Sequence, residues 1–301
     1  MKILLLYNNY AANRRARVKY KAVLDLLRQN NIIADVKVTD YKYQSIEIIK
    51  ESNLAHYDAV IGAGGDGTVF DVVNGIMLNP SETKIPFGVI PLGTGNAFAR
   101  DLGLSDNPWQ KSIEAIKNFR TIKTDLGFVK TPKESFYFSN ICGFGFVMDA
   151  ADTASRLKMF GEASYIFGVL YHIMFLNSFK LKMEIDGKVI ERDNVFAEIS
   201  NTRYTGKDFL MAPTASINDG LLDVTLLNKC SRGRVISCLP KIFKGTHVEM
   251  QEVETFKVKR VSFETDSPKK LTPDGEVIGQ TPIVVECIPK ALDVITNNLE
   301  T

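Results

Sequence analysis

Cysteine and histidine are scarce in this chain, and neither occurs in a pattern that binds metal. The four cysteines are widely spaced and include no C-x-x-C pair, and the three histidines share no metal-ligand spacing. This excludes a cysteine-based zinc site and a disulfide framework, and it indicates free thiols in a reducing compartment.

Long apolar runs and a strong net charge are also missing. The most lipid-like window, Tyr165 to Phe179, is shorter than the roughly 20 apolar residues of a spanning helix, and we interpret it as core. The apolar start of the chain is too short for a signal peptide. The net charge of +2 gives no indication of a nucleic-acid partner. We therefore expect a cytoplasmic protein with peripheral membrane contact and no nucleic-acid partner.

The first part of the chain alternates between strand and helix patterns, which predicts a parallel sheet with helices on both faces. Predicted strands cover residues 2–7, 32–38, 57–62 and 86–90, and predicted helices cover 14–30, 41–53, 67–78, 95–103 and 109–119.

After about Arg120, short β-branched or alternating runs predict an antiparallel sandwich. The predicted strands are Ile122–Val129, Phe136–Ile141, Lys180–Ile185, Val189–Ser200, Leu222–Leu227, Phe256–Phe263 and Ile283–Cys287. Helical patterns occur at Asp152–Ser178, Arg232–Gly245 and, at the end, Ala291–Leu299. At 301 residues a single core is near its limit. We expect an α/β domain over 1–121 and an all-β sandwich domain over 122–289.

Two glycine-rich turns carry the chemistry. The strand ending near Ile61 leads into four glycines in six residues (62–67), with Asp66 and Thr68 among and after them. Glycines at a strand-to-helix junction let backbone amides approach an anion. A carboxylate repels phosphate unless a divalent cation lies between them, so Asp66 indicates a phosphate-plus-Mg²⁺ site. A second turn, Gly93-Thr94-Gly95-Asn96, follows the next strand, as expected for consecutive βα units whose ligand lies at the carboxyl ends of the strands.

These motifs resemble the soluble lipid kinases that include bacterial diacylglycerol kinases and sphingosine and ceramide kinases. The similarity spans nearly the whole chain. The matching segments are Gly64–Thr68, Val72-Val73-Asn74-Gly75, Gly93–Asn96, Ala212-Pro213 with Asp219-Gly220-Leu221, and Asp274-Gly275-Glu276. NAD kinases share the first motif, so an NAD kinase stays open as an alternative, as does a lipid- or nucleotide-binding regulator without catalysis.

The resemblance implies a nucleotide site on the first domain. The implied residues are Asn8, Thr39, Gly64, Gly65, Asp66, Gly67, Thr68, Gly93, Thr94, Gly95 and Asn96. The family's proline and glycine after Asn8 are absent here. The basic run Arg14–Lys21, with five cations in eight residues, is interpreted as a solvated helix face, a phosphate contact or a contact with acidic phospholipid.

The resemblance also implies two magnesium sites. Asp66 and Asp125 would form the carboxylate network of a catalytic Mg²⁺, although Ala97 replaces a third aspartate usual in bacterial members. Asp219, with main-chain carbonyls from Ser216 and Leu221, matches a structural Mg²⁺ site of some bacterial members.

The implied reaction is phosphoryl transfer from ATP to a membrane-derived lipid. The resemblance makes Glu276 the base for the lipid hydroxyl, with Asp66 as the competing candidate. Diacylglycerol is the first expectation for the acceptor; a sphingoid base, ceramide or monoacylglycerol is the alternative. We also expect the last segment, 290–301, to pack back on the first domain, and a homodimer is among the expected assemblies.

Overall fold

The computed structural model describes residues 1–81, 84–104, 109–146, 176–206 and 208–297. The helix expected at Asp152–Ser178 falls almost entirely outside these ranges, as does most of the apolar window Tyr165–Phe179. No helix in the described part of the chain is long and apolar enough to cross a membrane.

The amino-terminal half contains the expected parallel sheet, in the order β2-β1-β3-β4. Its strands are β1 (Lys2–Asn8), β2 (Ile33–Thr39), β3 (Ala59–Gly64) and β4 (Phe87–Pro91). The helices are α1 (Arg15–Gln29), α2 (Gln44–Glu51), α3 (Asp66–Met77), α4 (Ala97–Asp101) and α5 (Gln110–Asn118). The register aligns the carboxyl ends of all four strands at one edge, because Asn8 pairs with Thr39 and Gly64 with Pro91.

The carboxyl-terminal half is the expected antiparallel, sandwich-like domain with its own apolar core. Its strands are β5 (Thr121–Lys130), β6 (Ser135–Phe138), β7 (Ile141–Gly145), β8 (Phe179–Ile185), β9 (Lys188–Ser200), β10 (Tyr204–Thr205), β11 (Phe209–Leu210), β12 (Leu222–Asn228), β13 (Val253–Val258), β14 (Arg260–Thr265), β15 (Leu271–Pro273) and β16 (Ile283–Ile295), with helix α6 (Arg232–Ile242) after β12. Short 3₁₀ turns lie at Leu54–His56 and Thr246–Glu249.

Strand β16 joins the two halves. Its first part pairs with β14, nearly its whole length pairs with β5, and Val294 pairs with Phe87 of β4. The helix expected at Ala291–Leu299 is therefore wrong. Val294 and Ile295 are buried as strand residues, because pairing with β5 supplies their backbone hydrogen bonds and burial.

Two of the expected strands are interrupted. Phe136–Ile141 breaks after Phe138, where Ser139 and Asn140 turn the chain so that their amides reach Asp274. Phe256–Phe263 divides at Lys259 into the ends of β13 and β14. In both cases the apolar pattern continues across a turn that depends on contacts from elsewhere in the chain.

Gly127, in β5, gives a test of the packing between β5 and β6. It pairs with Phe138, and a Cβ at Gly127 would overlap the Phe138 ring. We expect Gly127→Ala to lower the free energy of unfolding by about 1–3 kcal/mol through overpacking. Gly233→Ala is the control, since Gly233 is exposed in α6 with open space around it, and we expect a gain of up to about 1 kcal/mol. Denaturant unfolding measures both, and equal effects would contradict the packing argument.

Candidate functional site

The two glycine-rich turns lie directly against each other at the carboxyl edge of the parallel sheet. The amides of Leu92 and Gly93 donate to the carbonyl of Gly64 at 2.8 and 3.1 Å. A Cβ at Gly93 would overlap the backbone of Gly65, so only glycine fits at this contact. The structure thus brings the two predicted phosphate turns together into one surface.

Asn96 holds the second turn in place. Its backbone is left-handed (φ 54°), and its side-chain amide both accepts from the Gly93 amide at 3.0 Å and donates to the Gly93 carbonyl at 3.1 Å. Thr94 is exposed at the tip of this turn. The turn therefore has a fixed shape before any ligand binds.

Asp66 lies between the two turns. It is the first residue of α3, and its carboxylate faces the start of α4, where the amides of Asn96, Ala97 and Phe98 are directed at it. Burial raises the pKa of Asp66 to about 6, although these amides act in the opposite direction. A Cβ at Gly95 would lie 2.8 Å from Asp66 Oδ2, so the carboxylate is held closely against the second turn.

The donor set around Asp66 fits a Mg²⁺ ion that is shared with phosphate. Mg²⁺ usually takes one or two carboxylates together with substrate phosphates and waters. Asp66 supplies such a carboxylate between two turns suited to phosphate. Within the described ranges, no cluster of three metal-ligating side chains offers an all-protein alternative.

Asn8, Thr39 and Thr68 lie at the adjacent strand ends, beneath the turns. The Asn8 amide donates to Thr68 Oγ1 at 3.0 Å, and its Oδ1 accepts from the Tyr10 amide at 2.9 Å. Thr39 and Thr68 are both buried. A Cβ at Gly64 would overlap the Thr68 side chain, so Thr68 packs under the first turn. These contacts show that Asn8 and Thr68 support the first turn, while Thr39 is buried at the neighbouring strand end.

The loop after Asn8 bends without the family's glycine. Ala12, Asn13 and Arg14 all have positive φ angles, 50°, 55° and 69°. They lead into α1, whose first turn has no acidic residue. The cations of the Arg14–Lys21 run are exposed or half-exposed, and none forms an ion pair with a described carboxylate.

Glu276 reaches the first turn from the other half of the molecule. A Cβ built on Gly67 would lie only 2.5 Å from Glu276 Oε1, so the carboxylate sits directly against this glycine. Glu276 Oε2 forms an ion pair with the Lys42 ammonium at 2.5 Å. The turn that carries Glu276 is anchored by buried Asp274. That carboxylate accepts hydrogen bonds from the amides of Ser139, Asn140 and Ile141.

Two further charged groups at this point were not expected from the sequence. Lys42, after β2, pairs with Glu276, and Asp71 lies one and a half turns along α3 from Asp66. Burial, and then the charge of Glu276, raises the pKa of Asp71 to about 7. The position of Lys42 in the sequence could have indicated a role at the site, because it follows Thr39 closely at the carboxyl end of a parallel strand.

Asp125 lies at the junction of the two halves and contacts backbone amides. Its carboxylate oxygens accept from the amides of Gly220 at 2.6 Å and Lys290 at 2.7 Å, and it is fully buried. Asp125 and Asp66 share no hydrogen-bond partner among the described residues. These contacts fix the 216–221 loop and the bulge in β16. The place of Asp125 in a Mg²⁺ network stays a prediction.

The expected structural Mg²⁺ position contains a cation of the chain itself. The Lys257 ammonium lies 2.8 Å from Asp219 Oδ2, 3.0 Å from the Thr214 carbonyl and 3.3 Å from Asp223 Oδ2. The ammonium donates hydrogen bonds to the Asp219 and Thr214 oxygens, and the Asp223 carboxylate adds an ion pair. The residues at this position therefore do not fit an added divalent ion.

The loop around Asp219 has further hydrogen bonds of its own, which leave the carbonyls of Ser216 and Leu221 untested as ligands. Ser216 Oγ hydrogen-bonds Asn218 Oδ1 at 2.9 Å, and the Leu221 amide donates to Asp219 Oδ1 at 3.0 Å. The loop thus keeps its shape through its own hydrogen bonds and Lys257.

Replacement of Lys257 tests this correction. In the native chain, Mg²⁺ without nucleotide should leave the thermal midpoint unchanged. Lys257→Ala should lower stability by about 1–3 kcal/mol, because it leaves charged oxygens without a partner. Mg²⁺ should then restore part of that loss, since the freed carboxylate and carbonyl oxygens suit a hard cation. Exposed Lys259→Ala is the control, with little expected change. A midpoint that rises with Mg²⁺ in the native chain would contradict the argument.

Two family models match the chain in succession. The diacylglycerol kinase catalytic domain matches residues 2–129, and the YegS C-terminal NAD kinase beta sandwich-like domain matches residues 141–296. The first match contains both glycine-rich turns, and the second contains Glu276 and the 216–221 loop. A crystal structure of a diacylglycerol kinase from Bacillus anthracis str. Sterne shares the fold, with a TM-score of 0.75, 21% identity and coverage of 100% of this chain and 98% of that one.

Similar curated proteins cover most of the chain. The diacylglycerol kinase of Bacillus subtilis (strain 168) is 29% identical over 280 residues, 92% of this chain and 90% of that protein. The diacylglycerol kinase of Mycobacterium tuberculosis (strain ATCC 25618 / H37Rv) is 32% identical over 241 residues, which cover 79% of this chain and 76% of that protein. Sphingosine kinase 1 of Arabidopsis thaliana is 25% identical over an alignment of 346 residues, which covers 97% of this chain and 71% of that protein. Since both halves of the site lie within family matches and the relatives span most of the chain, this protein belongs to the lipid kinase family of the diacylglycerol kinase catalytic domain.

Proposed function

We propose that this lipid kinase transfers the γ-phosphate of ATP to the free hydroxyl of a diacylglycerol, with Mg²⁺ bound at Asp66. The observation that carries the proposal is the position of Glu276 against Gly67, at the start of α3 and beside Asp66. A base from the sandwich thereby meets the phosphate turns of the α/β domain.

The α/β domain would hold the nucleotide. The first turn of α3 and the Gly93–Asn96 turn form one edge, where free amides and the helix dipole favour phosphate. Asp66 would hold Mg²⁺ beside the nucleotide phosphates, where the ion would neutralise charge on the transferring group. Asn96 keeps the second turn preorganised, so little rearrangement is needed when the nucleotide binds.

Glu276 would take the proton of the acceptor. As the lipid oxygen forms its bond to the γ-phosphorus, the O–H proton moves to a Glu276 carboxylate oxygen. The bond from that phosphorus to the β–γ bridging oxygen breaks, and its electron pair leaves with ADP. Lys42 balances the charge of Glu276 and keeps its carboxylate beside Gly67. Such transfer depends mainly on positioning and charge stabilisation.

A sphingoid base is the second candidate acceptor. The similarity to a plant sphingosine kinase over 97% of this chain supports it. The reacting group is again a lipid hydroxyl, so the same residues would act on either acceptor. The choice depends on the pocket that receives the rest of the headgroup.

A phosphorylation assay tests the proposal. The protein is incubated with labelled ATP, Mg²⁺ and one of four lipids: diacylglycerol, monoacylglycerol, ceramide or sphingosine. We expect phosphorylation of diacylglycerol, lost by about 10³-fold in Asp66→Asn through loss of an electrostatic stabiliser. Glu276→Gln should lose about 10²–10⁴-fold through loss of the base, with nucleotide affinity nearly unchanged. Both variants should unfold at the native temperature. Full turnover in Glu276→Gln would exclude Glu276 as the base and leave Asp66 in that role, and absence of any lipid product would overturn the proposal.

We further propose peripheral membrane contact through the exposed cations of the Arg14–Lys21 run. Each basic side chain near an anionic surface contributes on the order of 1 kcal/mol, screened by salt. Co-sedimentation with vesicles should rise with anionic lipid, fall with salt, and weaken in the Arg15→Gln, Arg17→Gln double variant. A Lys180→Gln, Lys182→Gln variant on β8 is the control, since both lysines are exposed on the sandwich. Binding that ignores lipid charge would exclude this contact.

A further inference from the structure

Glu198, in the middle of β9, is a fully buried acid without a counter-ion. Its Oε1 accepts from the hydroxyls of Thr205 at 2.7 Å and Ser200 at 3.3 Å. Its Oε2 is buried and has no hydrogen-bond partner. Within the described ranges, no lysine, arginine or histidine pairs with it. An unpaired buried polar atom is costly, so its retention calls for an explanation.

Glu198 belongs to a row of residues that crosses four neighbouring strands. Glu198 of β9 pairs with Gly143 of β7 on one side and with Thr225 of β12 on the other. Gly143 in turn pairs with Thr272 of β15. Gly143 leaves a gap in this row. A Cβ there would make ordinary contacts, 3.4 Å from Thr272 Oγ1 and 3.8 Å from Glu198 Oε2. The unpaired carboxyl oxygen and the Thr272 hydroxyl, which donates to the Gly143 carbonyl at 3.0 Å, therefore both border the space of one missing methyl group.

The next row on the same face is apolar. Side chains two residues apart on a strand share a face, about 7 Å from one another. Phe196 pairs with Gly145 on one side and Leu227 on the other. Phe196 and Leu227 belong to a buried apolar cluster that also contains Met211, Val235 and Cys238. Along β9 this face thus changes from polar to apolar within one side-chain spacing.

The polar row lies next to the phosphate turns. Thr205, which holds Glu198, precedes Gly206, and the Gly206 carbonyl would be 3.5 Å from a Cβ at Gly95. Thr272 precedes the turn that carries Glu276. Three regions therefore follow one another from the reaction centre. Glu276 and the glycine-rich turns come first, the polar row with Glu198 second, and the apolar cluster with Phe196 third. An acylglycerol has the same order of hydroxyl, ester groups and chains.

We propose that Glu198 binds the headgroup of the acceptor lipid, its Oε2 donating a hydrogen bond to an ester carbonyl of the acylglycerol across the gap at Gly143. This rests on the proposed function and refines it by assigning a residue to acceptor recognition. Because Oε1 already accepts two hydroxyl donors, the proton of the neutral acid belongs on Oε2. A diacylglycerol carries ester carbonyls as acceptors there, whereas a sphingoid base carries an ammonium, which pairs with an ionised acid.

The surroundings of Glu198 favour its neutral form. The ionisable groups on the bordering elements are Cys142 of β7, Tyr204 of β10, Asp223 of β12 and Asp274 after β15, and none is a cation. Asp223 is itself paired with Lys257. Burial raises the pKa of Glu198 to about 7. Below that pH the acid is a donor, and above it the ionised form repels an ester carbonyl. The KM for diacylglycerol should therefore rise as the pH rises through about 7.

Kinetics of Glu198→Leu and Glu198→Gln test the proposal, with short-chain diacylglycerol in micelles as the acceptor. Leucine keeps the volume but has no donor, so we expect the KM for lipid to rise by about tenfold and the KM for ATP to stay constant. Glutamine keeps a donor that does not titrate, so its KM for lipid should rise less and should lose the pH dependence of the native enzyme. Glu191→Gln, an exposed acid on the same strand, is the matched control.

The outcomes separate this inference from the proposed function. A native enzyme that phosphorylates no lipid overturns the proposed function. A native enzyme active on diacylglycerol, with an unchanged KM for lipid in Glu198→Leu, overturns the inference alone. If thermal unfolding shows that the leucine variant does not fold, the glutamine variant decides, and a pH profile parallel to the native one overturns the inference. A KM for sphingosine below that for diacylglycerol, falling as the pH rises, would instead assign Glu198 to an ammonium.

Discussion

The pairing of β16 with β5 is the interaction on which the site depends. It connects the sandwich to the parallel sheet, with Val294 of β16 also pairing with Phe87 of β4. Glu276 and Asp66 come from different halves of the chain, so their proximity requires a rigid connection between those halves. Backbone pairing along one long strand, on both sides of its bulge, supplies it. A flexible linker would leave Glu276 and the glycine-rich turns unaligned.

The site has a marked excess of acidic groups over cations. Burial raises the pKa of Asp66, Asp71 and Asp274 to between about 6 and about 7, and Lys42 is the ammonium paired with Glu276 beside them. Acids in this number would repel a triphosphate, which physically favours a reaction carried out with a divalent cation. Conversely, where the chain supplies its own cation, as Lys257 does at Asp219, an added ion has no evident role.

In the proposed function, recognition of the acceptor would use a different part of the structure from phosphate binding. The phosphate turns are backbone surfaces at strand ends, shaped by glycine. The face of β9 instead offers side chains that change from Glu198 to Phe196 over one spacing. Separation of the two tasks lets the acceptor pocket vary while the transfer geometry stays the same, in keeping with similarity to both diacylglycerol and sphingosine kinases.

The family resemblance assigned Glu276 its role. The sequence by itself determined most of the elements and the two glycine-rich turns with Asp66. These follow from local chemistry: alternation gives strands, glycine permits close backbone contact, and an acid between glycines indicates a cation. Tertiary structure decided the rest. Ala291–Leu299 has a short helical pattern, yet the part up to Ile295 forms a strand, because β5 lies beside it. The carboxylate of Asp125 meets the amides of Gly220 and Lys290, and the ammonium of Lys257 lies beside Asp219. The unpaired oxygen of Glu198 was likewise visible only in the folded chain. Such roles depend on partners distant in the chain, and spacing along one sequence does not encode which distant groups meet.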